Sequence, residues 1–437
     1  MRLFGELGLR MREKKMYKSI KPHYIFGTFQ VPGDKSISHR AVMLGSLAVG
    51  TTKIANFLQG EDCLSTLSCF NALGVKHVWA GEKQLHITGV GLQGLQESQD
   101  VLNAGNSGTT MRLMSGILAA QPFLSVITGD VSLRSRPMKR VVEPLLTMGA
   151  NILTRIGGQA PLVIKGSSLK GGSFYLEVAS AQLKSALLLA GMFAEGNTII
   201  TEPSLSRDHT ERMLRYFGAE IISRGATASI IPGKTLTARD INVPGDISSA
   251  AFLMAAGIIA GKEKLTIKDV GINPTRTGII DVLRAMGGVI DYINVREEGG
   301  EPVADIEVYP GELHAVEVSG ELIPRLIDEI PIIAVVAAFA KGETVIRDAG
   351  ELRIKESDRL QAITEELGKF GVDITEYPDG IRIKGGKKLL GANINPRKDH
   401  RIAMAMAVAA LAAEGETIIN DAECTDVSYP GFWEAII

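Results

Sequence analysis

Five short stretches of the chain set hydroxyl, amide, carboxylate and guanidinium groups directly in front of runs of small apolar residues. They are Asp34-Lys35-Ser36-Ile37-Ser38-His39-Arg40, Asn103-Ala104-Gly105-Asn106-Ser107-Gly108-Thr109-Thr110-Met111-Arg112, Ser180-Ala181-Gln182-Leu183-Lys184-Ser185, Asp328-Glu329-Ile330-Pro331 and Asp399-His400-Arg401. Such runs form helices, so each polar stretch marks a helix N-terminus. Free N–H groups and the positive end of the helix dipole attract anions there, and Gly, Ser and Thr let an anion reach the backbone. Two more stretches are dense in cations, Arg134-Ser135-Arg136-Pro137-Met138-Lys139-Arg140 and Arg353-Ile354-Lys355-Glu356-Ser357-Asp358-Arg359. Arg grips carboxylate or phosphate as a fork. A chain of formal net charge -2 that gathers its cations in loops focuses positive potential into a cleft, and the ligand that fits is small and highly anionic. The spacing of Lys355 and Arg359 predicts one shared helix face with Glu356 beside it, so that one element supplies cations and an acid–base carboxylate.

Each stretch alone has a plainer reading. A Gly-Asn-Ser-Gly turn caps a helix, and Asp328 before an apolar run reads as an N-cap. The 134–140 stretch reads as a solvated helix face, and His400-Arg401 as capping or helix-dipole chemistry. Gly33-Asp34-Lys35-Ser36 lacks the frame of a nucleotide P-loop. What favours a common site is that these stretches fall at equivalent places in a repeat.

The elements that must position these groups come from a duplicated chain. Val31-Pro32-Gly33-Asp34-Lys35-Ser36 returns as Val243-Pro244-Gly245-Asp246-Ile247-Ser248, each followed by a small apolar helical run. Lys35 in the first copy is Ile247 in the second, which predicts one site at the junction of two similar halves. Within each half a smaller unit recurs: a small-residue helix, often a Gly, a β-branched strand, a charged loop, an amphipathic helix, a closing Gly and another strand. The first Gly is at 50, 196, 261, 342 and 415, with Gln121-Pro122 in its place in the second unit; the closing Gly is at 74, 149, 218, 287 and 371. The sixth unit is cut short at Ile437. Units of this length are too long for a solenoid and predict two α/β domains of three units each. The runs beginning at Ser107, Ala181, Ala334 and Ile402 carry Ala, Leu and Met on all faces, which predicts buried helices with the sheets outside.

Bulk composition sets the class. A length of 437 residues fits two domains, and 45% hydrophobic residues fill both cores. The balanced charge argues against a nucleic-acid or membrane-surface protein. Three cysteines make no disulfide scaffold or metal pattern, and the seven histidines are scattered. No apolar run reaches the length of a membrane span, and the first 25 residues lack a signal-peptide core and read as a loose terminus. A cytoplasmic protein is expected.

Taken together, the motifs 32–40, 105–112, 180–184, 353–359 and 399–404 resemble those of the 5-enolpyruvylshikimate-3-phosphate synthase family, and the resemblance runs from about Val31 to Trp433. It implies an inside-out α/β barrel: two similar domains, each of three βαβαββ units with buried helices and outer sheets, joined by two crossovers near 31–33 and 243–246. Residues 1–32 and 246–437 would form a discontinuous domain carrying Asp328, Lys355, Glu356, Arg359 and Arg401. Residues 33–245 would be an inserted domain with most of the shikimate 3-phosphate site, and the active site would lie in the cleft between them. The implied reaction moves the enolpyruvyl group of phosphoenolpyruvate to the 5-hydroxyl of shikimate 3-phosphate by addition and elimination. Asp328, Glu356 and Lys35 are the implied catalytic groups, their separate steps left open. Lys35, Ser36, Arg40, Ser180, Ala181, Gln182, Arg207, Asp328 and Lys355 would hold shikimate 3-phosphate. Lys35, Gly108, Arg136, Gln182, Arg359 and Arg401 would hold phosphoenolpyruvate. The resemblance implies no cofactor and no metal, a monomer, and no nucleic-acid or membrane partner.

Some positions depart from the common pattern. Cys424-Thr425-Asp426-Val427-Ser428 stands where some members carry Cys-Thr-Ala-Lys, and Glu351 where some have Asn. Ser-Ala-Gln-x-Lys and Arg207-Asp208-His209-Thr210-Glu211 are similar to the divergent class II group, which implies lower sensitivity to glyphosate, although Gly108 supplies no crowding methyl. The alternatives are the sister UDP-N-acetylglucosamine enolpyruvyl transferase, an RNA-end cyclase and a non-catalytic binding module. Lys35 is followed by Ser36 rather than Asn, and no Cys lies in the Gly-rich or Arg-rich loops, against the sister enzyme. Low charge and the 355–359 motif argue against the cyclase, and the set Lys35, Asp328, Glu356 and Arg359 against the module.

Overall fold

A computed structural model describes residues 16–437; positions 1–15 of the stretch read as a loose terminus lie outside it. Six small-residue helices, Lys35–Leu47, Gly108–Leu118, Ala181–Gly191, Ile247–Ile259, Ile330–Phe339 and His400–Ala410, form the interior. Every residue from Ile247 to Ile258 and from Ile330 to Ala338 is buried, as a helix apolar on all faces requires. Two of these helices begin earlier than their apolar runs suggest. Ile330–Phe339 takes Pro331 into its first turn, where a missing N–H costs nothing, and His400–Ala410 starts behind Asp399, whose side chain accepts from Arg401 N.

Each helix is flanked by one sheet of a regular pattern. In the second unit Leu102–Asn103 lies parallel to Leu124–Thr128, which pairs antiparallel with Gln159–Lys165, itself antiparallel to Asn151–Arg155. The third and fifth units repeat this order with Lys170–Tyr175 and Glu317–Val318 as the parallel partners. The amphipathic helices that follow end in closing glycines such as Gly149 and Gly287, at φ 92° and 100°, a left-handed turn that a side chain would strain. The truncated sixth unit is completed from the other end of the chain: Lys18–Ile20 pairs antiparallel with Thr417–Ile419.

The halves exchange strands where the duplicated segments meet. Ile25–Gln30 runs parallel to Gly261–Gly271 in the second half, and Ile241–Asn242 runs parallel to Val49–Ala55 in the first. Between them the two Val-Pro-Gly-Asp segments pair about a local twofold. Asp34 N donates to Pro244 O at 2.8 Å, and Asp246 N donates to Pro32 O at 2.9 Å. The buried apolar side chains fall into two clusters, one drawn from Ile37 to Val243, the other from Ile20 to Val31 and Ile247 to Ile436. A tight helix crossing holds the first of them: a Cβ on Gly116 would sit 2.1 Å from Ala186 O.

Candidate active site

The N-termini of the inner helices and the cation-rich loops line one cleft of about 450 Å³. All the residues expected to hold substrate reach it: Lys35, Ser36, Arg40, Gly108, Arg136, Ser180, Ala181, Gln182, Arg207, Asp328, Lys355, Glu356, Arg359 and Arg401.

Lys35 is the first residue of its helix, which Asp34 caps by accepting from Ile37 N at 2.9 Å. Its Nζ lies 2.5 Å from Asp62 at the start of helix Glu61–Ala72. Burial alone would lower the Lys35 pKa, but Asp62 and then Glu356 raise it, so the ammonium is held protonated. One turn on, Arg40 donates to Thr210 Oγ1 at 2.6 Å, Ser185 Oγ at 2.8 Å and Ser36 O at 2.9 Å. Burial pushes its pKa down to about 10, which leaves it cationic at neutral pH.

The Gly-rich turn presents backbone and two arginines. Ser107 caps helix Gly108–Leu118 by accepting from Thr110 N. A Cβ on Gly108 would meet Arg112 Nη1 at 3.0 Å and Arg136 Nη1 at 3.5 Å. Arg112 donates to Gln182 Oε1 at 2.6 Å, and Gln182 Nε2 donates to Thr109 Oγ1 at 2.9 Å, which ties two helix N-termini together. Arg136 donates to Asn106 Oδ1 at 2.7 Å. The 134–140 stretch is therefore not one solvated helix face. It breaks between helices Val131–Ser135 and Lys139–Thr147, and the break turns Arg136 inward.

Across the cleft, Asp328 gathers cations from both halves. Its carboxylate takes Arg207 Nη2 at 2.6 Å, and Lys355 Nζ and Arg359 Nη1 at 3.4 Å each; its carbonyl accepts from Arg401 Nη1 at 3.0 Å. Burial would raise the Asp328 pKa, but Lys355, Arg207, Arg401 and Arg359 hold it well below the usual carboxylate range. Asp328 is not an N-cap. It sits in the 3-10 turn Ile327–Glu329, and Glu329 precedes the helix without a side-chain cap bond. Asp328 faces the cleft because that extra turn rotates it off the helix end.

Lys355 and Arg359 do not share a helix face either. Lys355 follows the 3-10 turn Gly350–Ile354, and helix Arg359–Lys369 begins at Arg359 behind the cap Asp358. The two cations meet at Asp328 because the chain turns between them. Arg359 is 1% exposed and donates to Asp399 at 2.9 Å and to Glu356 Oε2 at 2.7 Å. Burial opposes ionisation of Glu356, but Arg359 above all, with Arg136 and Lys35, holds its pKa well below the usual range. His400 is pushed down to about 4, chiefly by burial, and is neutral at pH 7. The free site therefore holds a protonated Lys35 and two anionic carboxylates inside a ring of guanidiniums, a place for a polyanion that must exchange protons.

Several cleft residues were not singled out from sequence. Arg112 lies one turn after Gly108, a spacing that could have marked it. Asp62 carries no motif signal, and Glu351 stands out only as a departure from the common pattern. Glu351 pairs with Arg140 at 2.7 Å across the cleft mouth. Among the described residues that line the cleft none lies beyond Arg401, so the tail around Val427 supplies no cation there; the Val427 carbonyl instead abuts Gly60, whose Cβ would lie 2.6 Å from it.

Comparison with known proteins identifies the family. A sequence model of the family described as EPSP synthase (3-phosphoshikimate 1-carboxyvinyltransferase) matches residues 20–436. The 3-phosphoshikimate 1-carboxyvinyltransferase of Desulforudis audaxviator is 58% identical over 411 residues, covering 94% of this chain and 96% of its own. That of Desulforamulus reducens is 55% identical with the same coverage. The solved EPSP synthase of Acinetobacter baumannii superposes with a TM-score of 0.87 at 45% identity, covering 96% of this chain and 97% of its own.

Proposed function

The chain belongs to the EPSP synthase family and transfers the enolpyruvyl group of phosphoenolpyruvate to shikimate 3-phosphate in aromatic amino acid biosynthesis, and from that premise we propose how its residues divide the work. Ser36, Arg40, Ser180, Ala181, Gln182, Arg207 and Lys355 hold shikimate 3-phosphate. Arg136, Arg359 and Arg401, with Lys35 and the Gly108 backbone, hold phosphoenolpyruvate; Gln182 touches both. Arg112 joins the second set, since its guanidinium lies against the Gly108 turn. Residues 33–245, and residues 16–32 with 246–437, act as two bodies that close on the substrates and expel water.

Asp328 takes the proton of the 5-hydroxyl while that oxygen bonds to C2 of phosphoenolpyruvate. A proton passes to C3 in the same addition, and Lys35, held protonated by Asp62 and Glu356, supplies it. In the elimination C3 loses a proton and the C2–phosphate bond breaks, releasing phosphate. Glu356 stands within the same cation cluster as Lys35 and takes that proton back. Asp328 is a weak base while four cations crowd it; the anions of the two substrates draw those cations away and restore its basicity. The ring of cations around Asp328, drawn from both halves, is the observation that carries this reading.

The test is phosphate release from phosphoenolpyruvate with shikimate 3-phosphate, and with UDP-N-acetylglucosamine as the control acceptor. Release with shikimate 3-phosphate alone supports it. Release with the nucleotide sugar alone would void the acceptor site. The enzyme works as a monomer in the cytoplasm on this reading; light scattering at assay concentration checks the former. No helix among the described residues is long and apolar enough to cross a membrane.

A further inference from the structure

One buried arginine outside the substrate sets touches both crossings between the halves. Arg276, 2% exposed, lies in the loop between strand Gly261–Gly271 and helix Gly278–Ala285. Its Nη1 donates to Asp34 Oδ2 at 3.1 Å and its Nη2 to Asp246 Oδ1 at 3.3 Å. Those two aspartates are the duplicated helix caps, one in each half. Asp34 accepts from Ile37 N, and Asp246 accepts from Ser248 N at 2.8 Å and, through its other oxygen, from Lys35 N at 3.3 Å. Arg276 Nη2 also donates to Ser248 Oγ at 2.7 Å. Ser248 Oγ donates in turn to Glu329 Oε1, which also takes Arg401 Nη1 at 3.5 Å.

We infer that Arg276 is a positioning residue for the transfer: one guanidinium fixes the angle between the two crossings and thereby aims Lys35, from the first half, and Arg401, from the second, at the same phosphoenolpyruvate. The inference rests on the reading above that Arg401 binds phosphoenolpyruvate. The geometry needs a planar fork. Asp34 at the start of one helix, and Asp246 and Ser248 at the start of another, meet separate Nη atoms of Arg276, and a point-charge ammonium cannot span them. Neither Nη is free for substrate, so Arg276 acts through its neighbours. Shikimate 3-phosphate is held mostly by residues of the first half, which Arg276 touches only through Asp34 and, at 3.4 Å, His209 Nε2, and which are also tied to one another directly, as Arg40 is to Thr210 and Ser185. The effect therefore falls on the ligand that needs both halves.

Arg276→Lys, Ser248→Ala and Arg401→Lys would be compared with wild type by steady-state kinetics, equilibrium binding of shikimate 3-phosphate and thermal unfolding. Arg276→Lys should lower kcat/KM for phosphoenolpyruvate by about 10- to 100-fold, the scale of a misplacement near 1 Å, with the shikimate 3-phosphate Kd within about three-fold. Ser248→Ala cuts one branch and should cost about five-fold in the same parameter, the worth of one hydrogen bond, with Tm near wild type. Equal weakening of both ligands, or a lower Tm with phosphoenolpyruvate kinetics unchanged, would overturn the inference. Should Arg276→Lys fail to fold, Ser248→Ala decides alone, and an unchanged KM for phosphoenolpyruvate refutes it. Arg401→Lys separates the two claims. If it leaves phosphoenolpyruvate binding intact, the reading of Arg401 fails and the inference falls with it. If it weakens phosphoenolpyruvate while Ser248→Ala does not, the inference alone fails.

Discussion

Replacing Asp328 with Asn keeps its shape and removes its charge, and the consequences for rate and binding run in opposite directions. The carboxylate faces three cations at 2.6, 3.4 and 3.4 Å, and a fourth holds its carbonyl. At an effective dielectric of about 20, one such contact is on the order of 5–6 kcal/mol before desolvation is subtracted. Asn leaves those cations without their anion, so they are freer to meet the phosphate and carboxylate of shikimate 3-phosphate. Its Kd should hold or fall. The 5-hydroxyl proton, by contrast, loses its acceptor, and kcat should drop by ~10²–10⁴-fold, equivalent to ~2.7–5.4 kcal/mol of barrier. Rapid-quench single turnover reads the chemical step, and calorimetric titration with shikimate 3-phosphate reads binding. Asp328 caps no helix, but its depressed pKa marks a charge that stabilises the fold, so the Tm of the free enzyme should fall. A kcat within about three-fold of wild type would refute the reasoning, and so would a Kd that rises in step with the loss of kcat, since that pattern marks a structural or ligand-holding carboxylate rather than a base.

The other expectations follow from the same geometry. Arg359→Ala strands Asp399, which has no exposure, and should cost about 3–5 kcal/mol of stability, as breaking a buried ion pair does; Arg359→Lys keeps the charge and should raise the KM for phosphoenolpyruvate far more than that for shikimate 3-phosphate, equal rises pointing to a structural role. Gly108→Ala puts a methyl 3.0 Å from the Arg112 guanidinium, which can swing away, so the fold should survive while phosphoenolpyruvate binds about 3- to 10-fold more weakly, by up to the worth of a charged hydrogen bond; unchanged binding would remove Arg112 from that subsite. His39 and His400 are pushed down to about 3 and about 4, mainly by burial, so below pH 6.5 the unfolded chain takes up protons that the folded one refuses. Stability present above pH 6.5 should therefore be lost as pH falls toward 4, at up to about 1.4 kcal/mol per pH unit for each His. Urea unfolding at pH 7, 6 and 5 checks this, and a slope that His39→Asn leaves unchanged would count against it.

The duplication, the six units and the polar loops in front of the buried helices are all legible in the amino-acid order. These rest on local chemistry: Gly at a left-handed turn, β-branched residues in strands, and helices apolar on all faces are dictated within a few residues of where they occur. The motif residues were legible for the same reason, since a helix N-terminus presents its side chains in a fixed order. Local pattern falls short where two elements meet. The N-cap alternative for Asp328 and the shared face of Lys355 and Arg359 assume an ideal helix, but short 3-10 turns precede both helices and rotate these groups into the cleft. Arg136 faces inward because its helix breaks at Pro137, and Asp62 reaches Lys35 only because two helices of one unit pack side by side. Arg276 carried no signal at all: it shares a site with Asp34 and Asp246 because strand exchange brings the two crossings together. Such contacts join residues far apart in the chain, so their energies depend on distances that no local pattern specifies. Tertiary structure alone decided which cations surround which carboxylate, and hence which groups enter the reaction protonated.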